Sequence, residues 1–222
     1  MDSASSFAGQ VSISMTDQAL VEDQEYLLSS VPISHPTLGQ RGWRGDRAKA
    51  HHGVMGLFPE ELPGHRDERR VTNGILFRVE PERDRVLVQH RVPLDATDPA
   101  ITTVSLSPLL QALQGGLRVR FRCDLNAVRC PSERSSGARR VPIDAPDALA
   151  AFLERKIGSG FRDIAVSSTT TTRARRGENA LHIVAFSGAA TISDPEESRR
   201  LVRSGAGKAL AYGCGLLSLG PA

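Results

Sequence analysis

Residues 117–125, LRVRFRCDL, alternate without interruption between apolar and charged side chains. An extended chain has a side-chain period of two, so Val119, Phe121 and Cys123 fall on one face and Arg118, Arg120 and Arg122 on the other. The spacing predicts a strand with one apolar and one cationic face. Strand and helix periods recur on both sides of it. YLLSSVPI (26–33) reads as a strand, and RAKAHHGVMGLF (47–58) places Val54, Met55, Leu57 and Phe58 on one helical side. ILFRVE (75–80) and RVLVQH (85–90) read as two alternating strands, and a short helical segment around 107–113 leads into LRVRFRC. The order is βαββαβ.

The second half repeats that order. RRVPI (139–143) reads as a strand and PDALAAFLERKI (146–157) as an amphipathic helix stopped by Gly158 and Gly160 in positions that tolerate a left-handed conformation. FRDIAVSS and LHIVAFSG flank a basic hairpin tip, Arg173-Ala174-Arg175-Arg176. Asp194-Pro195 supplies an N-cap and a first-turn proline for a helix to about residue 204, and GCGLLSL closes the unit as a strand. The expected class is therefore α+β: two tandem ferredoxin-like (βαββαβ, RRM-like) units with antiparallel sheets. Residues 25–130 form the first unit and 131–222 the second, with a glycine-rich loop. Residues 1–24, rich in Ser, Ala, Asp and Gln, are expected to be a disordered extension. Helices on one face of each sheet leave the other free for a ligand.

Composition narrows the ligand. Of 28 basic residues only Lys49, Lys156 and Lys208 are lysines, and arginine's planar fork suits phosphate oxygens and base faces. A GC-rich genome also enriches arginine, so the clustering carries the inference. Between Leu117 and Arg140 seven arginines stand against two acids. With aromatics at 5%, RNA bound here would be held mostly through arginine and phosphate. Three cysteines, Cys123, Cys130 and Cys214, fit neither a disulfide framework nor a CxxC metal site. No run of about 18 apolar residues or signal-like start occurs, so the expectation is a cytoplasmic protein without membrane partners.

The closing stretch SGAGKALAYGCGLLSLGPA suggests a phosphate loop, but a P-loop needs a hydroxyl after its lysine and Ala209 follows Lys208. A GxGxxG dinucleotide loop fails because position 210 is leucine and the loop runs from helix to strand. No nucleophile elbow, HExxH helix or acidic cluster is present. His51 and His52 lack metal-ligand spacing, and His35, His65, His90 and His182 lack motif context. Histidine, lysine, arginine and backbone amides remain. That set suits RNA cleavage in which a base takes the 2′-hydroxyl proton, cationic and amide donors hold the phosphorane charge, and an acid protonates the leaving 5′ oxygen.

GAGKALAYGCGLLSL resembles the GxGxxKAxGxGLLS signature of the type I-E CRISPR repeat endoribonucleases, the CasE family of the Cascade complex. ILFRVE with VLVQ also matches, RFRCDLNA resembles the family's RFRLRANP, GARRVPI its GKRVPL, and FLERKIGSGF its WLxRKxxxxGF. The matches run in family order from about residue 26 to 222. The resemblance implies metal-independent, cofactor-free cleavage of precursor CRISPR RNA at the 3′ base of each repeat's stem-loop, leaving 2′,3′-cyclic phosphate and 5′-OH ends. It further implies retention of the crRNA beside other Cascade subunits. AKAHHGVMGLFP fits the pattern YxxHxxxxxxFP and places His51 on the catalytic histidine. The family's tyrosine is Ala48 here, leaving Lys49, His52, Lys208 and Tyr212 as candidates for a second proton donor or electrostatic helper. The family's loop lysine is Leu210, with Lys208 two residues earlier. Arg118, Arg120, Arg122, Arg139, Arg140, Arg173, Arg175 and Arg176 are expected to grip RNA, with Gly205, Gly207, Lys208, Gly213 and Gly215 against the stem. The alternative, prompted by Ala48, is a non-catalytic subunit that binds RNA hairpins.

Overall fold

The structure, a computed structural model, describes residues 25–38, 42–65, 68–95, 98–129 and 140–222. The expected extension 1–24, Cys130 and Arg139 lie outside them. In chain order the elements are β1 (Leu27–Pro32), α1 (Arg47–Met55), α2 (Arg69–Thr72), β2 (Leu76–Glu80), β3 (Arg85–His90), β4 (Thr102–Ser105), α3 (Ser107–Ala112) and β5 (Arg118–Asn126). There follow β6 (Val128–Arg129), β7 (Val141–Pro142), α4 (Pro146–Ile157), β8 (Phe161–Arg176), β9 (Asn179–Ile192), α5 (Pro195–Ser204) and β10 (Leu217–Pro221).

Two antiparallel four-stranded sheets result, ordered β2-β3-β1-β4 and β10-β5-β9-β8. Both place a unit's strands in the spatial order fourth, first, third, second, so the tandem ferredoxin-like class holds. The boundary between the units differs from the sequence reading. β5, read as the last strand of the first unit, pairs with β9 and β10 and opens the second; β4 completes the first sheet. The expected strand at 139–143 shrinks to the two residues of β7, which pair with β6 in a separate ribbon. Helix α3 follows β4, and its Leu110 with the flanking Leu106 and Leu113 packs into the second core, beside Phe152, Phe186 and Leu201. Arg199 of α5 ties that segment down by donating to the carbonyls of Leu110 and Leu113 at 2.9 and 2.8 Å.

Local chemistry explains the helix ends. Asp46 caps α1 by accepting from Ala48 N at 3.0 Å, and the helix stops at Met55 because Gly56 takes the C-cap ahead of Pro59. Asp194 caps α5 through the amides of Glu196 and Glu197. Gly158 ends α4 with φ −61°, an ordinary right-handed value; a Cβ there would lie 2.5 Å from Glu154 O, so close packing requires the glycine and a left-handed turn does not.

β5 has the two faces its alternation predicts. Phe121, Cys123 and Leu125 enter the core beneath α4 and α5, and Arg118 and Arg120 are exposed. β2 departs from alternation, since all five residues are buried. Phe77 and Val79 pack beneath α1 with Val54, Leu57 and Phe58, while Leu76 meets Leu87 and Leu216 on the opposite face. There Arg78 donates to Glu80 Oε1 at 2.7 Å, to Leu216 O at 3.2 Å, to Arg122 O at 3.3 Å and to Ser218 Oγ at 2.9 Å. The helix-free faces of the two sheets are therefore turned partly toward each other. They do not form two open platforms. A buried charge pair persists only when its remaining donors are bonded, and here those donors fasten one unit to the other. Burial pushes the Glu80 carboxyl up, but Arg78, Arg85 and Arg122 outweigh it and hold the group below the usual carboxylate range.

Candidate functional site

α1 presents His51 half-buried toward an open cleft of about 740 Å³, whose lining includes Met55, Phe58, Arg69, Arg70, Asp95 and Ala211. Burial lowers the His51 pKa, and the neighbouring Arg70 and His52 lower it further, so its imidazole is neutral near pH 7. Arg70 is anchored by donating to Ile75 O at 2.9 Å, and burial weakens its own hold on its proton.

The second unit brings the other wall. After α5 the chain passes through a short 3-10 turn, Leu210–Tyr212, entered by Ala209 at φ 64° and left by Gly213 at φ 78°. That turn sets the Tyr212 ring edge-on to the His51 ring, with centroids 6.1 Å apart. The Arg176 guanidinium lies over the phenol ring, 4.5 Å from its centroid. The turn is seated on the β8–β9 arm, where Ala209 and Tyr212 pack against Ala174, Leu181, Ile183 and Cys214. Gly213 allows the approach to the first unit: a Cβ at that position would come within 2.8 Å of Phe77 Cε2. The arm is tied to the start of α1 as well, since Arg175 N donates to Gly45 O at 2.9 Å and the backbones of Arg175 and Asp46 form an isolated parallel β-bridge. His51, Tyr212, Arg70 and Arg176 thus meet at the junction of the units. One group can take a proton, another carries an O–H, and two are cations.

A sequence profile of the CRISPR associated protein family matches residues 26–221. The chain belongs to this family. It is 30% identical over 197 residues to the CRISPR system Cascade subunit CasE of Escherichia coli, covering 82% of this chain and 95% of that one. It is 32% identical over 172 residues to the CRISPR-associated endoribonuclease Cse3 of Thermus thermophilus, covering 66% and 80%. Among solved structures, Thermus thermophilus Cse3 bound to an RNA representing a pre-cleavage complex superimposes with TM-score 0.67 at 26% identity, covering 89% of this chain and all of that one.

With the family established, the site residues that fall within the described ranges can be placed, Arg139 lying outside them. Of the candidates for the proton partner, Tyr212 is beside His51, whereas Lys49, His52 and Lys208 are exposed. Arg173, Arg175 and Arg176 are exposed on the arm, and Arg118 and Arg140 are also open to solvent. Arg120 is exposed while donating to Pro221 O at 2.7 Å. Arg122 is not a free cation: it pairs with Glu82 at 2.6 Å, Glu80 at 3.6 Å and Asp124 at 3.7 Å. The glycine loop also differs from a phosphate clasp. Gly205 N donates to Leu201 O and Gly215 N to Asp124 O, and Gly213 and Gly215 are buried, so Gly207 and Lys208 are its exposed positions. Arg69 and Arg70 were missed; the signal was the charged run DERR ahead of ILFRVE, which resembles any solvated helix face. Among the described residues no three His, Cys, Asp or Glu side chains gather closely enough to hold a metal ion, and no helix is long and apolar enough to cross a membrane. Cys123 and Cys214 are free and buried, and burial pushes the Cys214 thiol up to about 12.

Proposed function

We propose that this chain is a metal-independent endoribonuclease that cuts precursor CRISPR RNA at the 3′ base of the repeat stem-loop. The products carry 2′,3′-cyclic phosphate and 5′-OH ends, and the mature crRNA stays bound to the chain within a cytoplasmic Cascade assembly. The names of the relatives support this reading, since one is a Cascade subunit and another a CRISPR-associated endoribonuclease. The observation that carries it is the meeting of His51 and Tyr212 across the junction of the units. The family's tyrosine position is occupied by Ala48, and Tyr212 brings a phenol to the same imidazole from the other unit.

In this mechanism neutral His51 accepts the 2′-hydroxyl proton as the 2′ oxygen attacks phosphorus. The phosphorane charge is held by Arg70 and Arg176, and the P–O5′ bond breaks as Tyr212 gives its proton to the leaving oxygen. The exposed arginines Arg118, Arg140, Arg173 and Arg175, with Lys208, hold the hairpin through its phosphates, so binding weakens steeply with salt. Incubating a matched repeat RNA with the chain in EDTA and mapping the ends tests the scheme. His51→Ala should abolish the cyclic phosphate product, and Tyr212→Phe should slow cleavage ~10²-fold while leaving hairpin affinity unchanged. Tight binding without cleavage by the parent chain would favour a hairpin-binding subunit, and an undiminished His51→Ala rate would remove His51 from the mechanism.

A further inference from the structure

A second cleft, of about 360 Å³, lies beside the first turn of α1, between Arg47 and the helix-free face of the second sheet. Its walls include Val79, Pro81 and Ile183, and its polar lining includes Arg44, Arg47, Arg122, Asp124, Thr170 and Thr172. Arg47 is 4% exposed, yet its Nε and Nη1 have no hydrogen-bond partner. Arg122 Nε and Asp124 Oδ1 are also buried without a hydrogen bond, their mutual 3.7 Å being too long for one. An unbonded buried guanidinium costs stability, and a fold retains one where something else completes it. Burial lowers the Arg47 pKa and raises that of Asp124, as expected for two charges held partly unsatisfied.

The unfilled atoms define the missing group. Three unbonded N–H donors and one unbonded carboxylate oxygen belong to side chains that line this slot, where the other lining carboxylate, Glu82, is already paired with Arg122, so the occupant that completes them must offer several acceptors and at least one donor. A phosphate offers acceptors alone and would leave Asp124 facing a like charge. A guanine base offers O6 and N7 to arginine, the commonest specific arginine contact with a base, and N1–H and N2–H to a carboxylate. The volume falls in the range of small-ligand sites. Arg47 also precedes His51 by four residues on α1, which sets the two side chains about 5–6 Å apart at Cβ. We propose that this cleft receives an unstacked guanine of the RNA, next to the nucleotide whose phosphate is cut at His51. The assignment rests on the RNA-processing reading for the identity of the strand, but not for the chemistry of the pocket.

Free nucleotides separate the two. Purified full-length chain is titrated with GMP, AMP, CMP, UMP and inorganic phosphate, with binding read by ligand-observed NMR. GMP should bind at least about tenfold more tightly than the other four. Arg47→Met should lose that preference and yet raise Tm, because an unsatisfied buried charge is replaced by a chain of similar length. Equal binding of all four nucleotides, phosphate competing as well as GMP, or retained GMP binding in Arg47→Met with a lower Tm would each overturn the proposal. If Arg47→Met does not fold, the ranking of ligands on the parent chain still decides it. Selective GMP binding by a chain that leaves repeat RNA uncut would sustain the pocket and refute the nuclease; cut RNA without GMP preference would do the reverse.

Discussion

His90 is the group through which acid should loosen the platform beneath His51. It is 1% exposed at the end of β3, its ring packed edge-on against Phe58, which follows the helix carrying His51. With the proton on Nδ1, the ring donates to Val92 O at 2.8 Å, and Nε2 accepts from the Ser29 hydroxyl at 2.8 Å. Both nitrogens are satisfied in the neutral form, and a second proton would strand a buried charge. Burial accordingly lowers the pKa from 6.5 to about 4, although the bond to Val92 pulls the other way. The unfolded chain takes up the proton near pH 6.5 and the native one near pH 4. Stability is therefore full above pH 6.5, declines between those values, and has lost His90's whole contribution below about 4. At roughly 1.4 kcal/mol per unit the loss is about 3 kcal/mol, a large share of a typical domain's stability. Urea melts of the parent and His90→Gln at half-unit steps from pH 7.5 to 4.5 measure it, since glutamine keeps a donor and an acceptor but does not titrate. The parent should lose 2–3 kcal/mol more than the variant across that range, by roughly the same per-unit arithmetic. Parallel curves would refute the reasoning.

Three other outcomes follow from the geometry. Because burial, Arg70 and His52 lower the His51 pKa, the cleavage rate should rise with pH to a plateau with a midpoint below 6.5. Arg70→Gln should move that midpoint upward, and a rate that instead falls with pH through this midpoint would make His51 the acid. Arg78→Met leaves Glu80 short of a partner and cuts the bonds to Leu216 and Ser218, so it should cost about 3–5 kcal/mol in chemical denaturation. The double variant Arg78→Met/Glu80→Met should recover most of that loss. Gly213→Ala must strain a φ of 78° or push Phe77, displacing the turn that carries Tyr212; single-turnover assays should show about 10²-fold slower cleavage with hairpin affinity kept.

Local patterning revealed the strands and helices but not their partners. The alternation of LRVRFRC fixes which residues of β5 are buried, yet both sheets have an apolar underside that would accept it, and the choice is made by pairing with β9 and β10 far along the chain. β2 defeated alternation because Arg78 and Glu80 are buried as a pair, and a charged residue in sequence carries no sign of a distant carbonyl. At the site, spacing located His51 on its helix, whereas Tyr212 lies 161 positions later and reaches it only through the turn at Ala209–Gly213. Arg47 had no signal at all, since one arginine among 25 looks like the rest until its burial is known.

The strap from Arg175 to Gly45 and Asp46 has a consequence for biosynthesis. His51 leaves the ribosome early in the first unit, but Tyr212 and Arg176 are made near the end and are positioned only after the arm has closed on α1. A nascent or half-folded chain therefore holds an imidazole without its partner. Under the roles proposed for His51 and Tyr212, cleavage requires the second unit to be folded against the first, so a partly built chain lacks the complete blade.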